Sequence, residues 1–170
     1  MILAFGDSLT NGFGVRDEHS YPKQLENKIG IQVINAGVDG EFTSEGLSRL
    51  PELLEHKPNL VILCHGANDI LNNVPHKEIK NNLSIMITMI KESRAELLLV
   101  GVPDYYIAGF EVHIIYEELA EELDVILEDN VLTNIVLNSS FQNDFVHPNE
   151  KGYQLMADIF MQELKKNKQI

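Results

Sequence analysis

The chain has 170 residues, enough for one domain with a sizeable hydrophobic core and too few for two such domains. Its 13 basic residues against 26 acidic ones give a net charge of −13, which argues against nucleic acid as a partner because phosphates are bound by Lys and Arg. The same charge disfavours docking on an anionic membrane surface. An apolar fraction of 44% is typical of a globular protein, so the composition indicates a single globular domain over residues 1–170.

Short apolar runs alternate with longer amphipathic stretches along the chain. Five short, almost continuously apolar runs predict parallel strands that are buried on both faces, and they cover 2–5, 32–36, 60–64, 97–100 and 125–127. Apolar residues recur at the helical period over 79–90 and 153–164. A further helical stretch, 44–56, contains Pro51, which predicts a kink or the start of a second short helix.

This alternation predicts an α/β fold, a three-layer α/β/α sandwich with a mainly parallel, flavodoxin-like sheet of five strands. No repeat, linker or low-complexity stretch interrupts the pattern. In such sheets ligands bind outside the carboxyl ends of the strands. The residues that directly follow each strand are therefore the candidates for a functional site.

Polar and glycine-rich segments follow the first three predicted strands and precede the last predicted helix. They are 6–14 (GDSLTNGFG), 35–40 (NAGVDG), 66–69 (GAND) and 144–148 (DFVHP). Acyl transfer needs a hydroxyl nucleophile, an imidazole that takes its proton and a carboxylate that orients the imidazole, and Ser8, His147 and Asp144 supply these groups. Fixed donors must also face the oxyanion, and Gly40 and Asn68 are the candidates.

Each of these residues also has a structural interpretation. A serine after a strand often only caps a helix or lies in a turn. His147 can merely open a helix, with Pro148 at its first position. Asn68 and Asp69 can form a turn by bonding to nearby backbone, and the glycines can serve only positions with positive φ. It is the joint occurrence of the four segments, in this order, that favours catalysis.

A family resemblance follows from these segments. The chain has no G-x-S-x-G elbow, so it is not an ordinary α/β-hydrolase. The segments that carry the resemblance are GDSLTNGFGV (6–15), NAGVDGEFTSEGLSRL (35–50), GAND (66–69) and DFVHPN (144–149). With them the sequence resembles the SGNH hydrolases, also called GDSL esterases or lipases, over essentially its whole length. It is most similar to their thioesterase, arylesterase and lysophospholipase subgroup.

The resemblance implies a role for each candidate residue. Ser8 corresponds to the nucleophile, which also donates its backbone N–H to the oxyanion hole. Gly40 corresponds to a second backbone donor to that hole, and Asn68 to a side-chain donor. Asp144 and His147 correspond to the remaining members of the catalytic triad. The implied chemistry needs no metal and no cofactor.

The substrate implied by the resemblance is a small acyl ester or thioester. A carbohydrate O-acetyl ester, cleaved by the same triad, remains the alternative because the loops 102–113 and 130–143, which recognise the leaving group, are variable. A non-catalytic flavodoxin-like binding module is the rival interpretation of another class. Four residues depart from the usual family pattern without removing a reacting atom, and they bear on substrate preference: Phe42, Ala67, Phe145 and Val146.

The single cysteine and the remaining histidines give no sign of a metal site. Cys64 is the only cysteine, which excludes an internal disulfide and a cysteine-based zinc site, and it is interpreted as a core residue. The other histidines lack ligand spacing and are interpreted as surface or structural residues: His19, His56, His65, His76 and His113.

The cellular location is predicted from two absences in the sequence. No apolar run approaches the ~20 residues that cross a bilayer. No basic segment precedes a hydrophobic one at the N-terminus, which predicts a cytoplasmic protein. A sequence from which an export signal had been removed would look the same, and the protein would then be periplasmic or secreted.

Overall fold

The computed structural model describes residues 1–106 and 110–170. The strands are β1 (Ile2–Gly6), β2 (Val33–Gly37), β3 (Leu60–Cys64), β4 (Glu96–Val100) and β5 (Ile126–Glu128). They form one parallel sheet in the order β2-β1-β3-β4-β5, which is the flavodoxin-like order. The predicted strands differ from these bounds by no more than one residue at either end.

β1 lies between β2 and β3, and the register places its last residue, Gly6, beside Gly37 and Cys64. Every residue of β1 and β3 is buried, which is why both strands are apolar or small throughout. Because the three strands are parallel and end at the same level, the segments that follow them meet at one edge of the sheet.

Helices cover both faces of the sheet. They are α1 (Ser8–Asn11), α2 (Tyr21–Ile29), α3 (Thr43–Leu54), α4 (Ala67–Leu71), α5 (His76–Glu92), α6 (Ile114–Leu123), α7 (Val131–Val136) and α8 (Glu150–Lys166). α2 packs against α8, whereas α3, α5 and α6 pack side by side on the opposite face, as right-handed crossovers require. The predicted three-layer α/β/α fold is confirmed. Within the described ranges, none of these helices combines the length and the apolar character needed to cross a membrane.

The second helix predicted at Pro51 and the loop predicted over 130–143 were wrong. The stretch around Pro51 is one helix, α3, and no second helix begins there. Pro51 lies in the last turn, so its missing N–H removes only one helical hydrogen bond. The segment 130–143 is not a simple loop, because it contains α7, whose first N–H groups, from Asn130 and Val131, are accepted by the Glu128 carboxylate at 3.1 Å. In the other predicted recognition loop, 102–113, residues 107–109 lie outside the described part of the chain.

Candidate active site

Ser8 lies where β1 ends and the chain turns into the short helix α1. Asp7 caps this helix, because its Oδ1 accepts the N–H of Leu9 at 3.0 Å. Gly6 is required at the turn, since a Cβ at that position would collide with the carbonyl oxygen of Cys64 on the adjacent strand. Only 6% of the Ser8 surface is exposed. The turn therefore holds the hydroxyl of Ser8 in a fixed position at the edge of the sheet.

The structure brings Ser8, His147 and Asp144 together. The Ser8 hydroxyl lies 3.0 Å from Nε2 of His147. Nδ1 of the same ring lies 2.8 Å and 3.0 Å from the two carboxylate oxygens of Asp144. Asp144 Oδ1 also accepts the backbone N–H groups of Val146 and His147, at 2.9 and 2.8 Å. The carboxylate is thus fixed by the loop that carries the histidine.

These contacts determine which ring nitrogen of His147 carries the proton. An ionised carboxylate only accepts hydrogen bonds, so Nδ1 donates to Asp144 and Nε2 is left to accept from the Ser8 hydroxyl. Partial burial opposes ionisation of Asp144, but the hydrogen bonds from the backbone of His147 and Val146 and from the His147 ring hold its pKa below the ordinary value. The arrangement can therefore move a proton from the hydroxyl to the imidazole.

The alternative role for His147, the opening of a helix, is wrong. α8 begins at Glu150, and its N-cap is Asn149, whose Oδ1 accepts the N–H groups of Lys151 and Gly152 at 3.0 and 3.1 Å. Pro148 precedes this cap and is not at the first helical position. The imidazole of His147 is therefore free of any capping role.

Gly40 lies in a tight turn between β2 and α3. The N–H of Glu41 bonds to the carbonyl of Val38 at 3.3 Å, and Gly40, the third residue of this turn, has a φ of +76°. Residues with a side chain rarely adopt that conformation, so glycine is favoured here for its backbone. Gly40 is exposed, and no atom lies within 4 Å of the position that a Cβ would occupy.

Asn68 does not form the local turn that was its alternative interpretation. It lies in the first turn of α4, and its Nδ2 donates to the backbone carbonyl of Glu41 at 3.0 Å. The neighbouring Asp69 accepts from the backbone and the hydroxyl of Thr43, at 2.9 and 2.6 Å. Both side chains therefore tie the β3 end to the segment that contains Gly40, instead of bonding to nearby backbone.

Aromatic side chains flank the triad on two sides. The ring of Phe13, 44% exposed, lies against the His147 ring with 4.5 Å between centroids. Phe145, 54% exposed, lies 5.9 Å from Tyr105 and 5.7 Å from Phe110. The site therefore offers apolar surface beside the reacting groups.

Sequence reasoning missed several residues that support this site. Tyr153 was interpreted only as a core residue of α8, but its hydroxyl also donates to the carbonyl of Phe13 at 3.2 Å. Glu41 and Arg49 form a partly buried ion pair directly after Gly40 in the chain, and His65 joins them. The available signal was that Glu41, Arg49 and His65 are ionisable residues. Spacing alone does not reveal that Glu41 and His65, 24 residues apart, are in contact.

Two of the other histidines, His76 and His113, contact each other. Nε2 of His113 lies 3.2 Å from Nε2 of His76, and Nδ1 of His113 accepts the N–H of Ile115 at 3.3 Å. The bond from the Ile115 N–H caps α6, so the role of His113 is structural. Across 1–106 and 110–170, no group of three or more His, Cys, Asp or Glu residues is arranged to hold a metal ion.

Comparison with known proteins identifies the family. The model of the GDSL-like Lipase/Acylhydrolase family matches residues 4–155. The chain belongs to this family. It is 35% identical to an arylesterase of Vibrio mimicus, over 98% of this chain and 88% of that protein. It is 30% identical to the Escherichia coli (strain K12) protein named thioesterase 1/protease 1/lysophospholipase L1, over 96% of this chain and 83% of that one.

A solved structure agrees in both sequence and shape. The psychrotrophic esterase EstA from Pseudoalteromonas sp. superposes with a TM-score of 0.87 at 30% identity, covering 97% of this chain and 96% of that one. The sequence-based identification of an SGNH (GDSL) carboxylic ester hydrolase, of the esterase and thioesterase group, is confirmed. The rival interpretation as a non-catalytic binding module is not supported.

Proposed function

We propose that Ser8, His147 and Asp144 are the catalytic triad of this acylhydrolase. The observation that carries the proposal is the continuous line of contacts from the Ser8 hydroxyl through the imidazole to the carboxylate, with distances of 3.0 and 2.8 Å. A serine hydroxyl is a weak nucleophile until a base accepts its proton, and this arrangement supplies the base and the group that orients it.

We further propose that the oxyanion hole consists of the Ser8 N–H, the Gly40 N–H and the Asn68 side-chain amide. The N–H of Ser8 belongs to the first turn of a helix, where backbone donors have no partner within the helix. Asn68 Nδ2 carries two hydrogens and uses one of them on Glu41, which leaves the other for the substrate oxygen.

The reaction then proceeds through an acyl-enzyme. The Ser8 oxygen bonds to the acyl carbon while its proton passes to Nε2 of His147, and the three donors stabilise the oxyanion. As the bond to the leaving group breaks, the imidazolium returns the proton to the departing oxygen or sulfur. Water attacks the acyl carbon, His147 takes one of its protons, and the carboxylic acid leaves as Ser8 is protonated again.

The proposed substrate is a small acyl ester or thioester. The two curated relatives are named arylesterase and thioesterase 1/protease 1/lysophospholipase L1, which supports this class. The exposed ring of Phe13 against His147, and the exposed Phe145 in the loop that carries Asp144 and His147, favour an apolar acyl or aryl group. The charge of −13 supports a small substrate over a nucleic acid. We propose that residues 1–170 form one catalytic domain.

The nucleophile can be identified by covalent labelling, since the matched EstA structure is described as inhibited by monoethylphosphonate. We expect a fluorophosphonate probe to add one phosphonyl group to the parent, on the peptide that contains Ser8. Ser8→Ala should remove labelling, whereas Ser93→Ala, at the opposite end of the sheet, should retain it. Labelling of Ser8→Ala at the parent rate would overturn the assignment.

The substrate class can be tested with matched ester panels. We expect soluble aryl and acyl esters of short or medium chain, and their thioesters, to be hydrolysed faster than emulsified triglycerides. A rate that rises sharply when the substrate forms droplets would contradict this. Faster turnover of acetylated sugars than of acyl-chain esters would favour the carbohydrate O-acetyl esterase alternative.

A further inference from the structure

A cluster of three charged or polar side chains, of which two are buried and Arg49 is partly exposed, adjoins the candidate oxyanion donors. The Glu41 carboxylate accepts from Nε and Nη2 of Arg49, both at 2.6 Å, and lies 3.0 Å from Nε2 of His65. Glu41 is 6% exposed and His65 is completely buried. Burial of charged groups costs free energy unless they are paired and hydrogen-bonded. The hydrogen bonds within the cluster offset this desolvation cost.

The cluster connects the ends of the first two strands. Nη2 of Arg49 donates to the carbonyl of Gly6 at 3.2 Å and to the carbonyl of Ala36 at 2.8 Å. The guanidinium also lies 4.3 Å from the centre of the Phe5 ring, a cation–π contact. Arg49 therefore fixes the backbone two residues before Ser8 as well as the Glu41 carboxylate.

The cluster also reaches Asn68, the candidate donor in the first turn of α4. The backbone carbonyl of Glu41 accepts one hydrogen of the Asn68 amide at 3.0 Å. Because the amide group is planar, this bond sets the direction in which the second hydrogen points. Glu41 also directly follows Gly40 in the chain. Movement of Glu41 would therefore displace two of the three proposed oxyanion donors together.

The packing around His65 leaves room for an imidazole at this position. Gly46 on α3 faces the ring, and a Cβ on Gly46 would collide with Nε2 of His65. The carbonyl of His65 accepts the Tyr116 hydroxyl at 2.7 Å, which anchors the end of β3 from the other side. Nε2 donates to the carboxylate, which accepts only, so the ring holds the Glu41 oxygen that Arg49 Nη2 also contacts.

We propose that Arg49, Glu41 and His65 are positioning residues for the oxyanion hole, holding Gly40 and Asn68 in the geometry that stabilises the transition state. The inference rests on the proposed function, because it assigns those two residues to the hole. Donors of this kind act when they are already oriented before charge develops. Loosening the cluster should therefore lower kcat and leave KM nearly unchanged.

The test is a double-mutant cycle between Glu41→Gln and Asn68→Ala, with the unlabelled, active parent as reference. Glu41→Gln retains the size of the side chain and removes its charge, and we expect kcat to fall about tenfold to a hundredfold. In the Asn68→Ala background the same change should cost less than in the parent, because the amide is absent and only the effect on Gly40 remains. Equal losses in both backgrounds would overturn the proposal.

A control and a second pair of variants keep the test decisive. Asp158→Asn breaks a surface ion pair with Lys28, distant from the site, and should leave kcat unchanged. If Glu41→Gln does not fold, His65→Gln and His65→Leu replace it: Gln retains a donor near Nε2, and Leu does not. We expect His65→Gln to retain more kcat than His65→Leu at equal KM, and equal kcat in the two would overturn the proposal.

The outcome also separates this inference from the proposed function. If the fluorophosphonate probe labels Ser8 in the parent and in Glu41→Gln, the nucleophile assignment stands whatever the cycle shows. If the probe does not label Ser8 in the parent, the proposed function is wrong. The inference about the oxyanion hole is then wrong with it, whatever the cycle shows.

Discussion

The two halves of the candidate site are held in different ways. The side chains of Asp144 and His147 are 50% and 20% exposed, and their mutual contacts are formed within one loop, three residues apart. The side chains of Glu41 and His65, beneath the oxyanion donors, are 5% and 0% exposed. Their cluster joins segments up to 43 positions apart, through the bond between Arg49 and Gly6.

This difference indicates how chemistry and stability are coupled in each half. Asp144 and His147, the proposed proton-transfer residues, lie on a loop near solvent, so they can be changed with little effect on the core. The proposed oxyanion donors depend on long-range contacts with largely buried side chains, so changes there should affect both rate and stability. The predictions below test this contrast, from the largest expected effect to the smallest.

Ser8→Ala should produce the largest loss. Removal of the nucleophile leaves only the oxyanion hole and substrate binding, and kcat should fall by about 10⁴-fold or more. Tm should change little, because within the described residues the one hydrogen bond of the Ser8 hydroxyl is to the His147 ring. Residual activity within tenfold of the parent would exclude Ser8 as the nucleophile.

Asp144→Asn should follow, with a loss of about 10³–10⁴ in kcat. An asparagine amide can donate to Nδ1 of His147, which would place the ring proton on Nε2 and prevent it from accepting from Ser8. Steady-state kinetics and a melting curve on the same preparation measure the effect. An unchanged rate would show that Asp144 does not orient the histidine.

Asn68→Ala should lower kcat by about 10²–10³ with KM nearly unchanged, since the amide acts mainly on the transition state. In contrast to the Ser8 and Asp144 variants, this one should also lower Tm, because the bond to Glu41 is lost. A fall in Tm with kcat of the folded fraction retained would make Asn68 a structural residue only.

Glu41→Gln should change the dependence of stability on pH. Burial opposes ionisation of Glu41, but the hydrogen bonds from His65 and Arg49 lower its pKa below the ordinary value of 4.5. The ionised cluster therefore stabilises the fold fully above that value, and this stabilisation is lost as the pH falls through the lowered pKa. The Tm difference between parent and variant should be constant at neutral pH and shrink in acid. A difference that is independent of pH would contradict the ionised cluster.

Much of the fold could be predicted from the sequence because its signals are local. β1 and β3 are continuous apolar runs, and the stripe over 79–90 falls on the buried face of α5. Pro51 was misread because a proline near a helix end costs only one hydrogen bond, which a pattern cannot distinguish from a break. The segment 131–136 was missed because its start depends on a cap from the Glu128 carboxylate.

In the candidate site, too, local sequence signals predict some residues and not others. Ser8, Asp144 and His147 could be placed from motifs because strand ends and a three-residue spacing determine their positions. The Glu41, Arg49 and His65 cluster could not, since it depends on how side chains from the β2–α3 connection, from α3 and from the end of β3 meet in the fold. Phe13 was likewise missed, because its contact with the His147 ring joins residues at opposite ends of the chain.

The central claim is that acyl transfer passes through Ser8, and the most direct measurement is to trap the acyl-enzyme. The parent enzyme is mixed with a slowly hydrolysed aryl ester, quenched in acid during turnover and mapped by peptide mass spectrometry. The account predicts one acyl group per chain on the peptide that contains Ser8, and no adduct in Ser8→Ala. An active parent whose acyl group lies on any other residue, or that never carries one, would contradict it.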